Sequence, residues 1–284
     1  EKESDYVFAI AGDSLSAAVT AGWTLWGAPI NPANDTMTIN LDDDFTDYWD
    51  TFDYVDNGYT YNGILKEAEG YWLGAAQDAT IDVLGTPVDS NFTMSLSQGW
   101  ELISNPLVLD VSVDSLTFTK DDETKAHADA VAAGWVNSIY GYDGSGYVSP
   151  TTFSPWSGYW LAVLETGVEM TFPIHRHDGS GSTRSRGNEW GIAFNTQVAG
   201  ASDGATIIGY AEMATDGFDA DFDAVEPPNP PGPEYVSLFI PHPEWDHLLG
   251  DRFSRDIRSA VPEDGFQEWV LSMESSETDA QLSW

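Results

Sequence analysis

An internal repeat limits the folds open to this chain more than any other feature of its sequence. The stretch GWTLWGAPINP at 22–32 is answered by GWELISNPLVL at 99–109, and GYWL at 70–73 by GYWL at 158–161. Self-similarity of this kind indicates structural units that pack against their neighbours. The first pair of landmarks lies 77 residues apart and the second 88, so the second copy carries about eleven extra residues.

Both copies have the sequence pattern of β-strands. Short apolar runs end in proline, and the stretches Asp56-Asn57-Gly58 and Asp143-Gly144-Ser145-Gly146 have the composition of hairpin turns. We therefore predict an all-β chain of tandem β-sandwich or β-barrel-like modules, with two homologous repeats at 15–90 and 91–175. The extra residues of the second copy fall in 121–135, whose Ala-rich centre favours a helix.

Three further segments complete the predicted domain organisation. Residues 1–14 are predicted to form a strand-like N-terminal segment, which we expect to add to a sheet edge of a neighbouring module or subunit. The small, polar stretch 176–187 is typical of a linker. Residues 188–284 are predicted to form a third β-rich domain, crossed by the Pro-rich stretch 227–233, where the prolines exclude a regular helix or a central strand.

The charge of the chain restricts its setting and its partners. There are 47 Asp and Glu against 10 Lys and Arg, which gives a formal net charge of −37. Such a surface repels nucleic acid, whose phosphates need clustered Lys or Arg, and anionic membranes. Salt relieves the self-repulsion, since the Debye length falls from ~10 Å at 0.1 M to ~3 Å at 1 M. We therefore expect a secreted or cell-surface protein of a salt-rich environment, seen as a mature chain without a signal peptide. The alternative is an acidic intracellular protein.

Two absences in the sequence exclude further classes of function. The chain has no cysteine, which excludes disulfides, thiolate metal sites and cysteine nucleophiles. No apolar run approaches the ~18–20 residues that span a bilayer, so we expect no membrane insertion.

A family resemblance rests on the repeat and on the third region. The two Gly-Trp … Gly-Tyr-Trp modules resemble the tandem β repeats of large secreted proteins of Bacteroidota and related phyla, many of them exported by type 9 secretion. The stretch at 214–258 is similar to a segment that precedes Ig-like or FlgD-like C-terminal domains in such proteins. The resemblance implies β architecture, an extracellular location and a cell-surface role, and it carries no catalytic residues.

One short motif raises the alternative of a serine esterase. Gly12-Asp13-Ser14-Leu15 follows an apolar run, as in the nucleophile block of GDSL esterases and lipases. Such an enzyme needs a histidine to activate the serine and an aspartate to orient that histidine. No Asp-x-x-His occurs in the sequence, and Glu244-Trp245-Asp246-His247 comes nearest. We therefore predict a polar turn at Ser14 and keep the esterase as the lowest alternative.

Acidic clusters are the candidate metal sites. Carboxylates at alternate positions can converge on Ca²⁺, which takes 6–8 oxygen ligands, and the predicted calcium loop contains Asp216, Asp219, Asp221 and Asp223. Asp42-Asp43-Asp44 with Asp47 is a weaker candidate. His175 and His177 give a weak signal for a transition metal. The alternative in each case is a solvated polar loop.

Aromatic residues are the candidate packing and binding groups. Trp23, Trp72, Trp100 and Trp160 fall at equivalent repeat positions, which favours core packing. The hairpin tyrosines are either cross-strand core pairs or an exposed stacking platform for glycans or a partner protein: Tyr54, Tyr59, Tyr61, Tyr142 and Tyr147.

Short sequence patterns predict glycosylation. Ser14, Thr36 and Ser115 each follow an aspartate and precede an apolar residue, the pattern on which bacteria of the resembled group place O-glycans. Asn34 and Asn91 begin N-glycosylation sequons.

These observations favour a non-enzymatic extracellular structural or adhesive protein, such as a self-assembling surface-layer or filament subunit. Its expected partners are copies of itself or other cell-surface proteins. The alternative is a polysaccharide-binding module that uses the hairpin tyrosines. In either case we expect the modules to pack as beads on a string, with function at the contacts between them.

Overall fold

A computed structural model describes most of the chain. The described residues are 13–55, 58–174, 189–231, 234–259 and 267–284. The N-terminal segment up to Gly12, the predicted linker and the pair His175 and His177 lie outside them.

The first repeat folds into strands with one short helix. These elements are Asp13–Val19 (β1), Gly22–Trp26 (β2), Asn31–Pro32 (β3), Met37–Leu41 (α1), Trp49–Val55 (β4), Gly58–Tyr61 (β5), Tyr71–Ala75 (β6) and Ala79–Thr86 (β7). Strands β2-β6-β4-β5 form one sheet in that order, and β1-β7-β3 form another.

The second repeat has the same plan with added elements. Its elements are Phe92–Ser95 (β8), Gly99–Ser104 (β9), Val111–Ser112 (β10), the 3-10 helix Val113–Ser115, Thr117–Lys120 (β11), Glu123–Ala126 (β12), His127–Ala132 (α2), Val136–Tyr142 (β13), Tyr147–Val148 (β14), Thr152–Phe153 (β15), Gly158–Val163 (β16) and Glu169–Phe172 (β17). The sheet orders are β9-β16-β13-β14 and β12-β11-β17-β8, and β10 pairs with β15. The helix predicted within 121–135 is confirmed as α2.

The third region is a mixed sheet with a smaller one beside it. Its elements are Glu189–Ala193 (β18), Asn195–Val198 (β19), Ala201–Asp203 (β20), Ile207–Ala211 (β21), Ala224–Val225 (β22), Val236–Pro241 (β23), the 3-10 helix Pro243–Trp245, Arg252–Arg258 (β24), Ser272–Ser275 (β25) and Gln281–Ser283 (β26). The sheet orders are β18-β21-β24-β23-β25 and β20-β19-β26, and β22 pairs with β24. The all-β prediction is confirmed, and none of the sheets formed by the described residues closes into a barrel.

Strand register confirms that the two repeats are structural equivalents. Trp72 lies opposite Leu25 and Phe52 in the first repeat, and Trp160 lies opposite Leu102 and Tyr140 in the second. The order β2-β6-β4-β5 therefore matches β9-β16-β13-β14, strand for strand.

The alternation of the GYWL motif builds two kinds of core. Side chains of successive strand residues point to opposite faces of a sheet. Tyr71 and Leu73 pack into the core of the first repeat, and Tyr159 and Leu161 pack into that of the second. The tryptophan between them points the other way in both repeats. The tyrosine and leucine of the motif thus pack in the core of their own repeat, and the tryptophan packs in a second core on the other face of the sheet.

A shared aromatic core joins both repeats to the third region. Its buried members are Leu25, Trp72, Trp100, Leu102, Tyr140, Trp160, Ala162, Val225 and Phe253. Because one cluster draws on all three regions, the beads-on-a-string prediction is wrong: apolar side chains on the outer faces of the two repeat sheets bury one another. The core-packing prediction for the four repeat tryptophans is confirmed, with Trp23 partly buried at the edge of the cluster.

Candidate functional site

The two repeats meet around a pseudo-twofold axis. Trp26 of the first repeat forms a β-bridge with Ser157 of the second, and the equivalent residues Ile103 and Glu69 form the reciprocal bridge. In a twofold contact each residue meets its partner twice, with the roles exchanged. Gly27 and its equivalent Ser104 face each other, since a Cβ built on Gly27 would lie 2.3 Å from that of Ser104.

Close backbone approach explains the glycine of the GYWL motif. A Cβ on Gly70 would lie 2.5 Å from the carbonyl oxygen of Ile103, and one on Gly158 would lie 2.9 Å from the backbone nitrogen of Trp26. Real Cβ atoms do not approach backbone this closely, so only glycine fits either position.

The hairpin tyrosines lie across this axis on the tryptophans of the opposite repeat. Tyr54 contacts Trp160 edge-on with ring centroids 4.9 Å apart, and Tyr142 contacts Trp72 at the same separation. Tyr59 and Tyr147 lie 6.4 Å from the same two rings, respectively. Burial raises the pKa of Tyr54 and Tyr142.

The predicted exposed stacking platform therefore needs correction. The four rings that contact Trp72 and Trp160 are partly buried within the shared aromatic core, because the two repeats bring them face to face. Tyr61 differs from the other hairpin tyrosines, since 55% of it is exposed. The other four tyrosines pack between the repeats.

The same tyrosines hold the Pro-rich crossing of the third region. The Tyr59 hydroxyl donates to the Asn229 carbonyl at 2.8 Å, and the Tyr147 hydroxyl donates to the Pro228 carbonyl at 2.5 Å. Tyr147 also accepts the indole N–H of Trp160 at 3.0 Å. Two pseudo-equivalent hydroxyls thus bind consecutive carbonyls of one segment, which ties the third region to both repeats.

One of the two clefts beside the axis is open. It has a volume of about 500 Å³ and lies between β1 and β2 of the first repeat and the 141–159 segment of the second. Its lining residues include Thr24, Gly141 and Ser157, all with small side chains, together with the ring of Trp156.

The equivalent positions on the other side of the axis are acidic. Strand register matches Thr24 to Glu101, and the reciprocal bridges match Ser157 to Glu69. Gly141 corresponds to Asp53, because each precedes a matched hairpin tyrosine. Lys66 forms an ion pair with Glu69 at 2.9 Å. We call Asp53, Glu69, Glu101 and Lys66 the charged cleft, and the cavity of about 500 Å³ the open cleft.

Burial and mutual repulsion perturb the carboxylates of the charged cleft. Burial raises the pKa of Asp53, and the nearby Glu69 raises it further. Burial likewise raises the pKa of Glu101, with added repulsion from Asp53 and Glu69, although the backbone N–H of Ser97 donates to Glu101 at 2.7 Å. In the open cleft, Asp143 has the opposite shift: hydrogen bonds from Ser145 and Gly146 lower its pKa against the effect of burial.

Three carboxylates of the predicted calcium loop accept hydrogen bonds from other groups of the protein. Asp216 accepts the Ser259 hydroxyl at 2.7 Å, and Asp219 accepts the backbone N–H of Thr215 at 2.6 Å. Asp223 accepts the backbone N–H groups of Asp219 and Ile257, and burial raises its pKa to about 7.

No group of three or more acidic or histidine side chains that could hold a metal occurs within the described part of the chain. In the weaker cluster, Asp44 accepts the backbone N–H of Asp82 at 2.8 Å. Asp221 lies in the same turn as Asp219 and Asp223. Calcium binding stays a prediction.

Ser14 lies in strand β1 and not in a turn. It pairs with Leu84 of β7, and its hydroxyl donates to Asp82 at 3.1 Å. His247, from the nearest match to a GDSL histidine motif, packs against Phe218 with ring centroids 4.5 Å apart. The nucleophile environment that an esterase requires is therefore not formed between these two residues.

The predicted glycosylation residues lie on loops, on strand β1 and, for Ser115, at the end of the 3-10 helix Val113–Ser115. Ser14, Asn34 and Asn91 are exposed, and Thr36 and Ser115 are half-buried. The Asn34 side chain accepts the backbone N–H of Thr36 at 2.8 Å. Glycan occupancy at these positions stays a prediction.

The sequence analysis missed a buried charged group in the third region. Glu226 is buried and accepts the Ser237 hydroxyl at 2.8 Å. Burial raises its pKa well above the usual range, and Asp203 raises it further. Asp203 itself accepts the backbone N–H of Leu238. A carboxylate that precedes two prolines, as Glu226 does, gives no sequence signal of burial, because its neighbours Ser237 and Asp203 come from other parts of the chain.

No helix in the described part of the chain is long and apolar enough to cross a membrane. Comparisons of the chain with family models, with curated proteins and with solved structures find no match, so the fold and the two clefts are what characterise it.

Proposed function

We propose that this chain is an extracellular structural or adhesive subunit that self-associates through the sheet edges of its third region. One observation carries the proposal: edge strands there expose large apolar side chains on an otherwise strongly acidic protein. Trp190 on β18 is 49% exposed, Met273 on β25 48% and Leu282 on β26 45%, and Trp284 after β26 is 81% exposed.

Edge strands present unpaired backbone N–H and C=O groups to any neighbouring chain. Native proteins usually protect such edges with charged side chains or prolines. The stretch Ala280–Trp284, which includes β26, has no charged side chain, and among the strands of the described residues β26 pairs with β19 alone. Main-chain pairing with apolar contacts on alternate side chains is the strand-addition mode of association.

The shared aromatic core supports a role as a rigid subunit. Because it joins the two repeats and the third region, a force applied at one sheet is transmitted through packed rings. The net charge of −37 opposes association at low salt and is screened at high salt. An extracellular, salt-rich setting fits both properties.

Sedimentation velocity and negative-stain electron microscopy in 0.1 M and 1 M NaCl test the proposal. We expect oligomers or filaments that grow with salt, and loss of association in Leu282→Lys. Leu84→Lys is the matched control: Leu84 is 42% exposed, but it lies on β7 between two neighbouring strands. A wild-type protein that stays monomeric in 1 M NaCl, or equal behaviour of the two variants, overturns the proposal.

A further inference from the structure

We propose that the open cleft between the two repeats binds a neutral oligosaccharide. The cleft volume of about 500 Å³ lies within the ~300–1,000 Å³ range of small-molecule sites. None of the described residues that line it belongs to the third region, so this site is separate from the β18, β25 and β26 edges proposed for self-association.

The lining combines an apolar wall with hydroxyl groups. Trp156, Pro155, Pro150 and Val148 supply the apolar part. Thr20, Thr24 and Thr152 supply hydroxyls, each able to donate and accept a hydrogen bond. Sugars present the matching surfaces, an apolar face of C–H groups and a ring of hydroxyls. A flat aromatic side chain such as Trp156 buries a large area against such a face.

The charges of the cleft select against anionic ligands. No Lys or Arg is found among the described residues that line it, so phosphate, sulfate and carboxylate groups would meet no counter-charge from them in a protein that already repels anions. Asp143 is the one ionisable carboxylate among these described lining residues, and hydrogen bonds from Ser145 and Gly146 keep it ionised by lowering its pKa. An ionised carboxylate accepts strong hydrogen bonds from hydroxyl groups.

The charged cleft shows that the fold does not require this opening. At the positions of Thr24, Ser157 and Gly141, the equivalent side of the axis has Glu101, Glu69 and Asp53. The cavity therefore arises from small side chains on one side of a duplicated scaffold.

Trp156 is the second difference between the two sides. It has a left-handed backbone with φ of 66°, and its equivalent Ala68 has φ of 62°. A left-handed conformation is unfavourable for bulky residues. The scaffold imposes this conformation in both repeats. On the charged side alanine adopts it with less steric strain, whereas on the open side it positions a large aromatic ring beside the cleft.

Isothermal titration calorimetry with cellohexaose, xylohexaose and mannohexaose tests the proposal. We expect wild-type protein to bind at least one of the three, and Trp156→Ala to weaken that binding at least tenfold. Ala68 shows that alanine is accommodated at this position of the fold. Gly141→Asp and Thr24→Glu, which introduce the residues of the charged cleft, are expected to abolish binding.

The control is Glu101→Thr, which makes the reverse change on the charged side and is expected to leave binding unchanged. Thermal melts of all variants report folding, so that a binding loss in a folded variant is attributable to the cleft. The proposal is overturned if none of the three oligosaccharides binds, if binding survives both Gly141→Asp and Thr24→Glu, or if the cleft binds a lysine-rich peptide in their place.

Discussion

The open cleft and the charged cleft share a backbone and differ in chemistry. Both lie beside the same pseudo-twofold axis, and both are bounded by equivalent strands. One contains Thr24, Ser157 and Gly141, and the other contains carboxylates at the matching positions. The comparison teaches that duplication fixed the scaffold while single side chains set the properties of each side.

Both clefts depend on the close contact between the repeats. Disruption of this contact should cause the largest loss of stability. Gly70→Ala and Gly158→Ala each place a Cβ against backbone of the opposite repeat. Overpacking of this kind costs about 3 kcal/mol, and we expect losses of that order in both variants. Urea denaturation in 1 M NaCl measures them.

The control for the glycine variants lies beside the open cleft. A Cβ on Gly141 would meet Tyr159 at 3.5 Å, an ordinary contact, so Gly141→Ala should stay within about 1 kcal/mol of wild type. If the Gly70 and Gly158 variants also stay within that margin, the close approach of the repeats is not what joins them.

Removal of the two hydroxyls that hold the Pro-rich crossing should lower the free energy of unfolding by less than the glycine variants do, and by different amounts on the two sides of the axis. Tyr147 has two hydrogen-bond partners, Pro228 and Trp160, whereas the Tyr59 hydroxyl donates to Asn229. With about 1 kcal/mol per hydrogen bond, Tyr147→Phe should cost about 2 kcal/mol and Tyr59→Phe about 1 kcal/mol. Equal losses in the same denaturation assay would show that the Tyr147 and Tyr59 hydroxyls contribute equally to stability, contrary to this prediction.

The elements of the two sides could be predicted from the sequence, but the contacts between the repeats that make one side open and the other charged could not. The repeat, the strands and the core role of the tryptophans followed from local patterns, since the period of side chains along a strand is visible in GYWL. Which core each tryptophan enters depends on contacts between residues far apart in the chain, such as Tyr54 with Trp160, which are 106 positions apart. For the same reason the sequence favoured packing for the hairpin tyrosines but left an exposed platform open as an alternative.

The difference between the clefts has a signal in the sequence, although a faint one. Thr24 and Glu101 follow the two Gly-Trp pairs directly, so aligning the repeats shows the substitution. Its meaning needs the strand register, because only the fold brings Glu101 together with Glu69 and Asp53. Buried carboxylates such as Glu226 are harder still to predict, since Glu226 is surrounded by residues from separate strands of the third region, such as Asp203 and Ser237.

The charged cleft gives the smallest predicted effect, a dependence of stability on pH. A raised pKa of Glu101 in the folded state means that the folded chain holds its proton at a pH where the unfolded chain has lost it. Stability from this group is therefore fully present below the ordinary Glu pKa of about 4.3 and is lost as pH rises through the raised value.

Glu101→Gln removes this titration and keeps an acceptor for the Ser97 N–H. We expect it to be more stable than wild type at pH 7, by no more than about 1 kcal/mol, with the difference vanishing below about pH 4. Urea denaturation from pH 4 to 8 in 1 M NaCl measures the difference while salt screens the net charge. Asp89→Asn, at an exposed position in the connection between β7 and β8, removes a carboxylate outside the charged cleft and is the matched control. A pH-independent difference for Glu101→Gln would mean that neither burial nor the neighbouring carboxylates raise the pKa of Glu101 in the charged cleft.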